Sequence, residues 1–421
     1  MNMKALHRRL IASIGLVAAC AGTVAAQAIT VAGTGDPNVD VPAVQDAVDQ
    51  GGRVVLIGHF SFDRSPTTPA GETYSRMVTV SKQVVIAGNR DQQGEMPTIE
   101  GGFIPFLVEA PSARVAVQGL RFVRPKGTAI WIYAVKGLTI AGCRIEGVEA
   151  SADYSRYAGG AGFLANGIFV GANPTPPSTA QPGQPENFSG TLAILNNDIE
   201  MEGTSAGNSL GIVIFGVGKS PDKEVDIYIS GNNISNVTEP AINFRIVGGQ
   251  AHAERNVIST GVTGNTTPDA IRIVGAGSYL IAHNLIDCGW ANGAASGINV
   301  FGQSATLQEA SAIIADNDVT MSTPAGTVFA DGTAGIVIGG FAQGNTSLNN
   351  RIRGRARAAL AVVGRNGGTP SNTRFVSNDL DGLQASLASV FVDAGVANTL
   401  VVGRPAGVED HGSGTVVIPI P

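Results

Sequence analysis

An all-β solenoid forming a single domain is the fold class the sequence predicts, and three observations predict it. Two short words alternate down the chain at spacings of 24 to 44 residues, as a repeat does when one unit cannot bury its own core. Both words alternate apolar and other residues with period two, the mark of strands with one buried face. Glycine is abundant at 56 of 421 residues while aromatics make up 5%, a composition that suits short strands joined by tight turns.

The elements follow in chain order. Residues 1–28 read as an export signal: "MNMKALHRRL" is a positive n-region, "IASIGLVAACAGTVA" a short apolar run, and Ala26–Ala28 a small-x-small cleavage site. Cys20 in "LVAAC" leaves lipoprotein cleavage as the alternative, and Arg8–Arg9 leaves twin-arginine export open. The apolar run is too short for a membrane span. Residues 29–60 are expected to hold a cap and a first strand. Within "DVPAVQDAVDQGG", Val41, Val44, Ala47 and Val48 fall on one helical face. Residues 61–421 are expected to hold the coils and a C-terminal cap. There the first word reads "LNNDIEM", "SGNNISN", "AERNVIS", "AHNLIDC", "ADNDVTM", "LNNRIRG" and "VSNDLDG". It aligns on Asn197, Asn232, Asn256, Asn284, Asn317, Asn350 and Asn378, with Cys143 in the equivalent slot of "TIAGCRI". An inward Asn at a sharp corner can bond the next Asn up the stack, so a ladder is expected; the simpler alternative is that Asn favours turns. At the far end, Pro419 and Pro421 in "TVVIPIP" blunt an exposed strand edge.

This arrangement resembles the right-handed parallel β-helix of the pectate-lyase-like superfamily, over nearly all of the chain after the signal. "DVPAVQDAVDQGGRVVLIG" is similar to that superfamily's entry segment, so the resemblance implies a right-handed parallel β-helix with an N-terminal capping helix over the open end of the stack. It implies that the Asn corner separates the second and third sheets. The other word, as in "AINFR", "AIRIV" and "GINVF", then forms the first sheet, whose outward face is the superfamily's usual substrate groove.

Alternation along the first-sheet strands directs Ile242, Phe244, Ile271, Ile273, Ile298 and Val300 inward. It directs Trp131, Tyr133, Phe169, Val213, Phe215, Asn243, Arg245, Arg272, Val274, Asn299 and Phe301 outward, where they are expected to be exposed. Aromatics can stack on sugar rings, and Arg can pair bidentately with a carboxylate. Glu239 and Asp269 precede two of these strands and are expected at the groove edge. The Pro-rich loop 149–190 is expected to wall the groove or to be a plain insertion. The bland alternative for Arg245 and Arg272 is a solvated ion pair with the nearby acids.

Charge and remaining residues exclude other functions. Removing Lys4, Arg8 and Arg9 takes the net charge from −6 to −9, which disfavours nucleic acid and membrane surfaces as partners. Cys143 and Cys288 are separated by four rungs, roughly 19 Å at strand spacing, so both are expected as free buried thiols. No metal site is expected. The sequons at Asn187, Asn233, Asn236, Asn265 and Asn345 read as by-products of Asn-rich turns. His59, His252, His283 and His411 read as structural, which leaves no His-type general base evident.

Two function classes remain. One is an enzyme on an acidic polysaccharide: a uronate lyase in which Arg245 or Arg272 is the base by resemblance, with calcium the cofactor left open. Within this class Glu239 and Asp269 could instead be hydrolytic carboxylates. The Gly-His-Gly and paired-Asp motifs of polygalacturonases and the Asp-Pro-His-Asp motif of alginate epimerases are absent. The other class is a non-catalytic glycan-binding or structural β-helix of the periplasm or cell surface. Either way a monomeric, exported polysaccharide-associated protein is expected.

Overall fold

The computed structural model describes residues 28–63, 77–151, 165–171, 188–202, 209–218, 225–246, 248–260, 269–289, 295–302, 310–326, 328–329, 333–365 and 367–420. The signal, Trp290, most of the loop 149–190, and the sequons at Asn187 and Asn265 lie outside these residues.

Every strand pairing is parallel, and each strand pairs with the equivalent strand one coil on, as the period-two words require. In the middle of the stack one coil runs Ile242–Arg245, Gln250–Glu254 and Val257–Thr260, and the next runs Asp269–Val274, Gly277–Ala282 and Leu285–Cys288. These are the first, second and third sheets of a right-handed parallel β-helix. Inward side chains from all three, such as Ile242, Ala251 and Ile258, form one continuous core along the axis. Burying that shared core is what makes the coils stable together and not singly.

A helix, Pro37–Gln50, closes the N-terminal end; it is the only helix among the described residues. Asp36 caps it by accepting the Asn38 N–H at 2.9 Å, and Pro37 occupies the first turn, where its missing N–H costs nothing. Val41, Val44, Ala47 and Val48 are buried on the core, the face the sequence predicts. Asp40 is also buried and anchors the cap. Its carboxylate accepts from Thr34 N and Oγ1 and from Gly35 N at 2.8–3.0 Å, and from Ser61 N in a neighbouring strand at 2.8 Å.

The Asn corners lie between the second and third sheets. Asn197, Asn232, Asn256, Asn284, Asn317, Asn350 and Asn378 form one ladder, each Nδ2 donating to the next Oδ1 at 2.8–3.0 Å. Each backbone N–H donates to that same oxygen, and the second amide proton goes to a carbonyl of the preceding strands, as from Asn256 to Ile229. Cys143 starts the series through its N–H to Asn197 Oδ1 at 2.9 Å. The residue before each ladder position has a left-handed backbone: Asn196, Arg255, His283, Asp316, Asn349 and Ser377 have φ of 53–57°, and Gly231 has 69°. In "LNN" the pair thus divides the labour: the first Asn makes the bend and the second fills the ladder, whereas in "SGNN" Gly231 makes the bend and Asn232 fills the ladder.

Cys143 and Cys288 are free and buried. The sequon Asn345 is buried and accepts the Ala312 N–H, whereas Asn233 and Asn236 are exposed. At the C-terminal end, Val416–Pro419 pairs with Leu400–Gly403. Val416 N–H donates to the Thr399 carbonyl just before that strand and Ile420 N–H to the Gly403 carbonyl, so Pro419 sits where an N–H would point off the open edge.

Candidate functional site

Outward residues of the first sheet stack in register. One row runs Leu107, Trp131, Phe169, Val213, Asn243, Arg272, Asn299, Val337, Ala361, Phe391 and Glu409, one residue per coil. A parallel row carries Phe215 beside Arg245, then Val274 beside Phe301. The alternation therefore places Trp131, Phe169, Phe215, Asn243, Arg245, Arg272, Asn299 and Phe301 on the outward side of the sheet.

Exposure is where the expectation fails. Trp131, Phe169, Val213 and Phe215 are buried, not exposed, in an apolar cluster with Ile104, Leu107 and Leu210, against which Tyr133 packs half-buried. Trp131 and Phe169 meet edge to face at 6.0 Å, Phe169 and Phe215 lie 6.4 Å apart, and Trp131 Nε1 donates to the Gly171 carbonyl at 2.9 Å. The aromatics one rung apart satisfy one another, so their faces are not open platforms for a sugar. A second outer apolar cluster, Ala334, Val337, Ala358, Ala361 and Val363, covers the C-terminal part of the face. Asn243 and Asn299 are likewise buried, at 1% and 7% exposure, and Val274 is buried too.

Between the two apolar clusters lies a polar zone. Arg272 is its centre: Nε donates to Asp269 Oδ2 at 2.5 Å, and Nη1 meets Glu239 Oε2 at 3.4 Å. Asn299 Nδ2 donates to the same Asp269 oxygen at 3.2 Å. Asp269 opens its strand and Glu239 precedes its own, and both hold Arg272. The hydrolytic pairing of Glu239 and Asp269 thus has a guanidinium between its members, and neither carboxylate stands clear to deliver a proton. Arg245 lies one coil earlier, with its guanidinium 5.8 Å over the Phe215 ring. The two arginines are perturbed in opposite directions. Burial, and then the neighbouring Arg272 charge, lower the Arg245 pKa, against an opposing pull from Glu239. For Arg272, burial acts downward as the largest influence, but Asp269 and Glu239 together outweigh it and the value is raised.

The buried amides leave acceptors open. Asn243 Oδ1 and Asn299 Oδ1 have no hydrogen-bond donor among the described residues. They flank Arg272 on either side, two rungs and about 10 Å apart. Phe301, half-buried, borders this zone.

Histidines sit elsewhere. His252, on the outward face of the second sheet, stacks on Tyr228 at 4.7 Å and meets the buried Glu254 at 3.3 Å. His283 is one of the left-handed corner residues, and His59 and His411 pair with Glu100 and Glu409. Among the described residues no group of three or more His, Cys, Asp or Glu side chains is gathered as a metal site, and no helix is long and apolar enough to cross a membrane.

No protein-family model matches the sequence, and no curated protein matches it. Solved structures do share the fold. The tailspike protein of E. coli bacteriophage HK620, a mutant solved with a pentasaccharide, superposes with a TM-score of 0.51 at 10% identity, over 91% of this chain and 77% of that one. PfbA, a surface adhesin of Streptococcus pneumoniae, has a TM-score of 0.45 at 12% identity over 92% and 93%. A PL6 alginate lyase solved with a trisaccharide has 0.44 at 12% identity over 94% and 97%.

Proposed function

We propose that this chain, a right-handed parallel β-helix with the pectate-lyase-like architecture, binds an acidic polysaccharide on the outward face of its first sheet, at Asn243, Arg245, Arg272 and Asn299. One observation carries the reading: among the described residues the buried Asn243 and Asn299 oxygens have no donor, on the face that also holds two guanidinium groups. Buried acceptors are nearly always satisfied, so such a pair could take hydroxyl donors from a bound ligand. A uronate supplies both hydroxyl donors and a carboxylate for an arginine. That a tailspike of this fold was solved with a pentasaccharide supports a carbohydrate ligand.

If the bound uronate is also cleaved, the step is β-elimination. Arg245 is then the better base: its proton is the one loosened by burial and by Arg272, whereas Glu239 and Asp269 tighten that of Arg272. Arg272 would fix the site's shape, and Asn299 would hold Asp269 in place. Calcium, if required, would add charge neutralisation at the carboxylate.

The second reading, a non-catalytic glycan binder, is favoured by the ion pairs of Arg272 with both acids and by the lack of a histidine among the described residues of this zone. On the same footing, residues 1–28 are an export signal, 29–60 the cap with its first strand, and 61–421 the coils. The mature protein is a monomer of the periplasm or medium.

The test incubates the purified protein with pectate, alginate and neutral glycans, with and without calcium. Affinity, unsaturated ends and reducing ends are all read. Binding to uronates that Arg245→Ala weakens at least about tenfold supports the reading; unsaturated ends would add the lyase step. Equal binding by wild type and Arg245→Ala, or no binding to any uronate, would refute it.

A further inference from the structure

We propose a separate oxyanion site at the corner where the strand Arg351–Val363 passes from the third sheet to the first, centred on Arg355. It would take a carboxylate or sulfate group, and it rests on the glycan reading only for the source of that group.

Three arginines project outward at alternate positions before this corner. Arg351 pairs with Asp379 at 3.7 Å, and Arg353 pairs with Asp318 at 2.9 Å and with Thr320 Oγ1 at 3.0 Å. Arg355 breaks the pattern. Its register partners are Ser322 and Gln384, and it has no carboxylate partner among the described residues. Its Nη1 is buried and has no acceptor. Ser322 Oγ is turned to Asp287, and the hydroxyl of the adjacent Thr323 is also buried without a partner.

A guanidinium keeps its charge at any ordinary pH, so a buried N–H without an acceptor carries a desolvation cost that a bound acceptor would remove. A planar fork of donors suits an oxyanion. The pairing register shifts between Ala356 and Ala358, and at this irregularity Arg357 lies 5.7 Å over the ring of Phe391. Two residues apart, one arginine is therefore held over an aromatic ring and the other, half-buried, is left with an unsatisfied donor. Through the third-sheet strands the coil of Arg355 is two rungs from that of Arg272, roughly 10 Å along the axis. A ligand that reaches both arginines is a chain of several sugars, while a free anion reaches only one.

The experiment follows thermal unfolding and calorimetric binding of the full chain. Sodium sulfate is compared with sodium chloride at equal ionic strength, and a hexameric oligogalacturonate with its monomer. Sulfate and the hexamer are expected to stabilise the wild type. Arg355→Gln is expected to abolish the sulfate response and weaken the hexamer at least about tenfold. Arg245→Ala is expected to keep the sulfate response. Arg355→Lys retains charge without the fork and should respond only weakly to sulfate, which keeps the test decisive if Arg355→Gln does not fold. A sulfate response unchanged in the Arg355 variants, or absent from the wild type, overturns the proposal. A sulfate response lost in Arg355→Gln, with no response to the hexamer, upholds the anion site and rules out an oligogalacturonate as the source of its anion.

Discussion

Replacing Asn256 by Ala isolates what the Asn ladder contributes. Asn256 Oδ1 accepts two bonds, from the Asn232 backbone N–H and from Asn232 Nδ2, both at 3.0 Å. Its Nδ2 donates to Ile229 O and to Asn284 Oδ1, also at 3.0 Å. After truncation, Asn284 Oδ1 keeps the backbone N–H of residue 256, and Asn232 keeps one amide proton on Ile194 O. Two buried donors of Asn232 are left without acceptors. At about 1–3 kcal/mol each, the loss is about 4 kcal/mol. Asn256→Asp should cost more, because its carboxylate would face Ile229 O and Asn284 Oδ1 without a proton to offer either. The matched control is Asn233→Ala, whose exposed amide donates to Asp198 Oδ1 at 2.9 Å and should cost within about 0.5 kcal/mol. Urea unfolding gives the overall change. Because stacked coils can open one by one, hydrogen exchange at the Asn232 amide gives the local one. Equal losses for Asn256→Ala and Asn233→Ala would refute the ladder as a stabilising device.

Other predictions follow from the same geometry. Arg272→Ala leaves buried Asp269 with Asn299 as its remaining side-chain partner among the described residues and should cost about 3–5 kcal/mol, while the double variant with Asp269→Asn should recover a large part of it in a denaturation cycle. Gly171 has φ of 110°, and a Cβ there would lie 1.8 Å from the Phe215 carbonyl, so Gly171→Ala should cost at least about 2 kcal/mol by the same assay and loosen Trp131, read by fluorescence in a Trp290→Phe background. Burial pushes the Cys143 and Cys288 thiols up to about 11 and about 12, so a thiol reagent at pH 8 should label neither until the chain unfolds. Because these folded values lie above the unfolded one near 9, the stability linked to the thiols is intact below pH 9 and declines as pH rises toward 11 and 12. Replacing both thiols by Ala should remove that alkaline component from the pH profile.

Local periodicity carried the architecture. A word of period two, repeated at coil length with Asn in a fixed slot, admits few packings, because a shift of one residue would turn every inward Ile outward. The ladder, the cap face Val41, Val44, Ala47 and Val48, and the side of the sheet on which Asn243, Arg245 and Arg272 lie were therefore legible from the amino acids alone. The left-handed residue before each ladder position was less so, since Arg255, His283 and Ser377 share the slot with Asn and Gly and have no common side-chain chemistry.

What lies on top of a sheet is a different question. Alternation tells which way Trp131, Phe169 and Asn299 point, but their burial depends on neighbours from other coils, such as Ile104 and Leu210. The same holds for charge. Glu239 and Asp269 stand 33 and 3 residues from Arg272, and only the stacking register brings both to one guanidinium while Arg245, one coil away, lies over Phe215. The sequence by itself determined the repeat, the ladder and the facing of each side chain, because those follow from backbone periods two residues and one coil long. The tertiary structure alone decided which outward residues meet water, which arginine the acids hold, and which buried amides find no donor among the described residues, because those depend on contacts between residues far apart in the chain.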